Sequence, residues 1–76
     1  MEINQNTANK ALGDRVYTLR AAKGMTKGDL AKAAGLSLFE IKEIENGKGN
    51  PFIEQLISLV GALDTTMSVF FEDFPS

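Results

Sequence analysis

The run Ala34-Gly35-Leu36-Ser37 is a helix stop followed at once by a helix start, and it constrains the chain more than any other feature. Glycine takes the positive φ that closes a helix at no steric cost, and a serine two residues on caps the next helix through its side-chain oxygen. The segment from Met25 to Lys48 therefore reads as two short helices joined by a tight turn. Leu30, Ala31 and Ala34 share one face of the first, while Ile41 and Ile44 share one face of the second. Helices this short are not stable alone, so the two faces must pack on each other. With Lys27 as the first position of a twenty-residue unit, Ala31 falls at the fifth and Gly35 at the ninth. Leu30, Leu36, Ile41 and Ile44 fall at the fourth, tenth, fifteenth and eighteenth. The small residue at the fifth matters, because helices meeting at about 90 to 120° leave no room there for a larger side chain.

Seventy-six residues suffice for one domain with one small core. Neither cysteine nor histidine is present, which removes disulfides, zinc fingers, thiol nucleophiles and imidazole bases together. The acids are not set in a cleft and no glycine-rich phosphate loop accompanies them, so an enzyme is not expected, nor any cofactor or metal. No apolar run reaches the length of a membrane span and the N-terminus does not read as a signal peptide, so a cytoplasmic protein in solution is expected. The net charge of −2 argues against a nucleic-acid partner until its distribution is considered. All eight Lys and Arg lie between Lys10 and Lys48, while Gly49 onward holds acids alone. The basic half is the half that contains the two short helices, and local charge governs attraction to phosphate.

Taken in order, residues 1–7 read as a polar arm, and residues 8–76 as a single domain. A first helix from about Ala8, capped by Asn6 or Thr7, to Lys23 carries Leu12, Val16 and Leu19 as its core stripe. The paired helices occupy 26–47, with Thr26 and Ser37 as caps and Ser37-Leu38-Phe39-Glu40 as a capping box. Helices 4 and 5 fall within 51–74. Asn50 is expected to cap the fourth with Pro51 at its first position, and Ile53, Leu56, Leu59, Val60 and Leu63 to face the core. Gly61 suggests a close backbone approach. The fifth helix, capped by Thr65 or Thr66, carries more large apolar residues than one face buries: Val69, Phe70, Phe71 and, beyond it, Phe74.

The order and spacing of these fragments resemble the helix-turn-helix regulators of the lambda-repressor-like, Xre/Cro family, over nearly the whole chain. The fragments are Leu12-Gly13-Asp14-Arg15-Val16, Lys23-Gly24-Met25-Thr26, the unit just described, Glu45-Asn46-Gly47-Lys48 with Pro51, and the apolar residues of helices 4 and 5. The resemblance implies an all-α, compact five-helix domain with helices 2 and 3 as helix-turn-helix. It implies double-stranded DNA as partner, a homodimer on a palindromic operator, and the recognition helix 38–46 in the major groove. On that pattern Thr26, Lys27, Asn46 and Lys48 would hold phosphate, and Ser37, Leu38, Phe39, Lys42 and Glu43 would face the bases. Arg20 and Glu45 would pair between helices 1 and 3, and Val69, Phe70, Phe71 and Phe74 would form a dimer seam. The chain departs from the pattern in offering Leu38 and Phe39 where polar readers are common. An apolar side chain can meet the thymine methyl and a carboxylate can accept from cytosine N4, but an exposed Leu-Phe pair also suits protein binding. The rival expectation is therefore an antitoxin-like or anti-repressor interaction module on the same fold. No small-molecule effector is expected.

Overall fold

The computed structural model describes residues 5–74, with side chains from Thr7 onward, as five α-helices. They are α1 (Gln5–Ala22), α2 (Lys27–Ala34), α3 (Leu38–Glu45), α4 (Ile53–Ala62) and α5 (Met67–Phe70). The first helix starts earlier than the sequence suggested: nothing in Gln-Asn-Thr stops a helix, so residues 5–7 of the expected arm extend it. Met1 to Asn4, the rest of that arm, lie outside the described residues.

Four of the helices close alike. After α2, the Leu36 amide donates to the Ala31 carbonyl at 2.9 Å and the Gly35 amide to Lys32, with Gly35 at φ 70°. This is the Schellman closure, which needs a left-handed residue and satisfies two orphan carbonyls. The same pair of bonds follows α1 at Gly24 and α3 at Gly47, and it follows α4 at Asp64, a non-glycine at φ 56°. The helix starts expected at Thr26, Ser37 and Thr66 are present: Thr26 Oγ1 accepts from the Asp29 amide, Ser37 Oγ from Glu40 and Thr66 Oγ1 from Val69. The fourth start differs. Its cap is Phe52, which has no side-chain acceptor, and Gln55 Oε1 takes the Phe52 amide at 2.8 Å instead. Asn50 and Pro51 precede the helix, in the loop.

The core is formed by Leu12 and Val16 of α1, Leu30, Ala31 and Ala34 of α2, Ile41 and Ile44 of α3, and Leu59, Val60, Leu63 and Phe70 from the C-terminal part. Ala31 is buried, as the helix crossing requires. Ile53 is a correction: Leu56, Leu59, Val60 and Leu63 fill the inward arc of α4, which leaves Ile53 57% and Ile57 56% exposed. Gly61 is another, since a methyl group there would touch nothing. The tight approaches lie elsewhere: a Cβ on Gly13 would overlap the Ile44 carbonyl oxygen, and one on Gly49 would lie 2.7 Å from Ile44 Cγ1. α3 is thus held close to α1 at its C-terminal end.

The expected seam also changes. Phe70 is fully buried in its own chain, so it is not available to a second copy, and Phe71 and Phe74 are partly buried against the same core. The rings of Phe70 and Phe71, and of Phe71 and Phe74, meet edge to face at 4.9 Å. Arg15 of α1 donates to the carbonyls of Phe70 and Glu72 and lies over the Phe74 ring at 5.3 Å. The aromatic excess therefore closes this domain rather than another. Of the four expected seam residues, Val69 remains exposed.

Candidate nucleic-acid interface

α3 is 8 residues long, about 12 Å at 1.5 Å per residue, and like any α-helix it is about 10 to 12 Å across with its side chains, a diameter that a B-DNA major groove about 12 Å wide admits. Ile41 and Ile44 anchor it inward. The same rotation turns Leu38 (44% exposed), Phe39 (69%), Lys42 and Asn46 outward, with Glu43 half-buried. The expected base-facing residues thus share the solvent side of one short helix. Asn46 ends it, in a non-helical C-cap position. Ser37 is exposed but engaged, because its hydroxyl oxygen accepts the Glu40 amide and only its O–H remains to donate outward.

The N-termini of α2 and α3 are built alike. Thr26 with Asp29 and Ser37 with Glu40 form reciprocal capping boxes, each of its bonds 2.9–3.0 Å long. A capping box uses the N-cap and third amides, which leaves the amides of Lys27 and Gly28, and of Leu38 and Phe39, without an intrahelical partner. Such amides, at the positive end of a helix dipole, suit an anion. The two box carboxylates are held below the usual carboxylate range, chiefly by the backbone N–H each accepts, from Thr26 for Asp29 and from Ser37 for Glu40.

The lysines of this segment are not used up within the fold. Among the described residues Lys10 pairs with Asp14 at 3.3 Å and Lys23 with Asp64 at 3.8 Å, while Arg15 and Arg20 are bound within the fold. Lys27, Lys32, Lys42 and Lys48 have no ion pair among the described residues, and all four belong to the helix-turn-helix or its exit. Lys48 follows the left-handed Gly47, its amide donating to the Glu43 carbonyl at 2.9 Å.

Arg20 and Glu45 form the inter-helix pair. Arg20 Nε meets Glu45 Oε2 at 2.7 Å and the second guanidinium nitrogen meets Oε1 at 3.0 Å, with side chains 10% and 4% exposed. A third donor reaches the Met25 carbonyl at 2.8 Å, which fixes the exit of α1 onto α2. The bond to Glu45 raises the Arg20 pKa despite burial.

Three residues near this surface were not singled out in the sequence. Phe52 is 71% exposed, and with Phe39 it flanks a cleft of about 240 Å³ that Glu43, Asn50 and Pro51 also line. Gln55 donates from Nε2 to Glu40 Oε2 at 2.8 Å. Tyr17, 56% exposed, lies under the Arg20 guanidinium at 5.2 Å. Gln55, three places after a helix cap, had a readable signature in the capping box pattern; the other two had none.

The helix-turn-helix family model, HTH_3, matches residues 16–70. Two uncharacterized HTH-type transcriptional regulators, from Rickettsia prowazekii and Rickettsia conorii, are each 28% identical over 61 residues, 80% of this chain. The chain spans about half the length of these relatives, 47% and 49%. Among solved structures, the restriction-modification controller protein C.AhdI from Aeromonas hydrophila is 30% identical with a TM-score of 0.80, over 83% of this chain and 96% of that one. The controller protein C.Esp1396I, as a tetramer in complex with its natural 35 base-pair operator, is 31% identical with a TM-score of 0.80, over 86% of each chain. The family is one of regulators and not of enzymes. By the match across more than half its length, the chain belongs to the helix-turn-helix (HTH_3) family of lambda-repressor-like, Xre/Cro transcriptional regulators.

Proposed function

We propose that this chain binds double-stranded DNA as a homodimer on a palindromic operator, with α3 in the major groove. The observation that carries the reading is that Lys27, Lys42 and Lys48, at the start of α2, on α3 and just after it, make no ion pair among the described residues. Thr26, Lys27, Asn46 and Lys48, with the free amides of α2 and α3, hold phosphates and set position. Ser37, Leu38, Phe39, Lys42 and Glu43 face the bases. The likeness to a controller protein in complex with its operator supports DNA as the partner. For the dimer, Ile53, Ile57 and Val69 are among the exposed apolar residues outside α3, and these form the seam in place of Phe70, Phe71 and Phe74.

A second reading has its own observation. Phe39 and Phe52, both about 70% exposed, flank a cleft, as a protein-binding surface would. Selection of bound sites from a random duplex pool, at two salt concentrations, separates the two. On the DNA reading the wild type enriches a two-fold symmetric site. Lys27→Ala and Lys48→Ala weaken all sequences alike and lower the salt slope by about 1. Leu38→Ser, Phe39→Ser and Glu43→Gln change the preferred bases at about 1 to 3 kcal/mol each and leave the slope intact. A wild type that enriches no sequence at low salt leaves the interaction module as the reading.

A further inference from the structure

α3 packs on α1 and α2, whereas α4 packs on α2 and α5. Between the start of α3 and the start of α4 lies the cleft, walled by Phe39, Glu43, Ile44 and Pro51, so apolar packing does not fill the gap. The hydrogen bond from Gln55 Nε2 to Glu40 Oε2, 2.8 Å long, spans it. Each of these side chains spends its other end on its own helix. Glu40 Oε1 accepts the Ser37 amide at 2.9 Å, and Gln55 Oε1 accepts the Phe52 amide at 2.8 Å. The result is a continuous run, Ser37 to Glu40 to Gln55 to Phe52, that ties the first turn of the reading helix to the first turn of α4.

We propose that Glu40 and Gln55 are positioning residues that set the angle between α3 and α4, and through it the half-site spacing and base register of the DNA complex. The assignment rests on the functional reading above. In a dimer joined through Ile53 and Ile57, α4 is the element through which one recognition helix is placed relative to the other. A tilt of about 10° at one end of a helix about 12 Å long moves the other end by about 2 Å, more than a hydrogen bond tolerates. Where packing leaves a gap, a directional bond across it selects the angle.

The bond has a polarity that can be reversed, and the test uses it. Gln55→Glu sets a carboxylate against the Glu40 carboxylate, and Glu40→Gln sets an amide donor against the Gln55 donor. Each keeps an oxygen for its own cap amide. The double variant, Glu40→Gln with Gln55→Glu, restores one donor facing one acceptor at unchanged net charge. All four proteins are titrated against palindromes built from the selected half-site, with the spacer varied one base pair at a time, and against scrambled DNA. Each single variant should shift or flatten the spacing optimum and lose about tenfold in discrimination, the size of a lost base contact. The double variant should regain both. Loss of stability alone would weaken every spacing by one factor. Single variants with the wild-type optimum and discrimination overturn the assignment, as does a folded double variant that behaves like the singles. A single variant that fails to fold leaves the double against the wild type as the deciding comparison. If the wild type itself enriches no site, the functional reading has failed, and the assignment falls with it. If the wild type binds and both single variants keep its spacing optimum and discrimination, the assignment fails alone.

Discussion

Arg20 shows what a single residue contributes here. Its guanidinium satisfies Glu45 twice and the Met25 carbonyl once, so one buried side chain joins α1, the α1–α2 turn and the end of α3. Removing either partner strands a buried charge, and Glu45→Gln or Arg20→Met should each cost about 3 to 5 kcal/mol. Chemical denaturation measures this, and an unchanged midpoint in both variants would contradict it. The pairing was legible from the family pattern because both residues sit one place beyond a core position. Gly13 was not legible in the same way. Its need for a bare α-carbon comes from the Ile44 and Glu45 carbonyls of α3 approaching α1, and spacing along one helix carries no trace of a neighbour in another.

At the scale of the element, local rules explain nearly every boundary. Thr26, Ser37 and Thr66 cap, and Gly24, Gly35 and Gly47 close, because these effects act within one turn. The exception is α4, where the cap is Phe52 and the Asn50-Pro51 signal is passed over. Phe52 is mostly exposed and cannot accept the amides it caps, although Gln55 already supplies the returning half of a capping box. Phe52→Ser completes the box, so it should raise stability by about 1 kcal/mol, read as a higher thermal midpoint. A lower midpoint would mean that the exposed ring contributes packing. The boxes of α2 and α3 also predict an acid response. The folded pKa values of Asp29 and Glu40 lie below their unfolded ones, so their stabilisation is present above about pH 4 and is lost as pH falls through the depressed values. Asp29→Asn keeps an acceptor without the titration, and its midpoint should fall less than that of the wild type below about pH 4.

For the whole molecule, the surplus of phenylalanine near the C-terminus was ambiguous in the sequence, because composition does not say which chain's core a ring enters. Arg15 resolves it by binding the Phe70 and Glu72 carbonyls and covering Phe74, which folds the tail onto α1. Part of the apolar surface left over is on α4, where Ile53 and Ile57 lie outside the inward arc, which was expected from the sequence to extend to Ile53. Ile57→Lys should therefore shift sedimentation from dimer to monomer and leave the thermal midpoint of the isolated fold little changed, whereas Phe70→Ser should unfold the domain. If the wild type sediments as the proposed dimer and Ile57→Lys does the same, the seam is elsewhere. The helix-turn-helix was the most legible part of the chain, since its stop, start and inward residues all fall within one short segment. No helix among the described residues is long and apolar enough to cross a membrane.

The interface itself is tested most directly by following the backbone amide resonances of the wild-type protein as a selected operator duplex is added. The largest shifts are expected at 26–28, 37–43 and 46–48, the two helix N-termini, the outer side of α3 and the turn after it. Little change is expected at Phe70 and Phe71, which are packed in or against the core. Shifts confined to Phe52, Ile53 and Ile57, or none at saturating duplex, would contradict this interface.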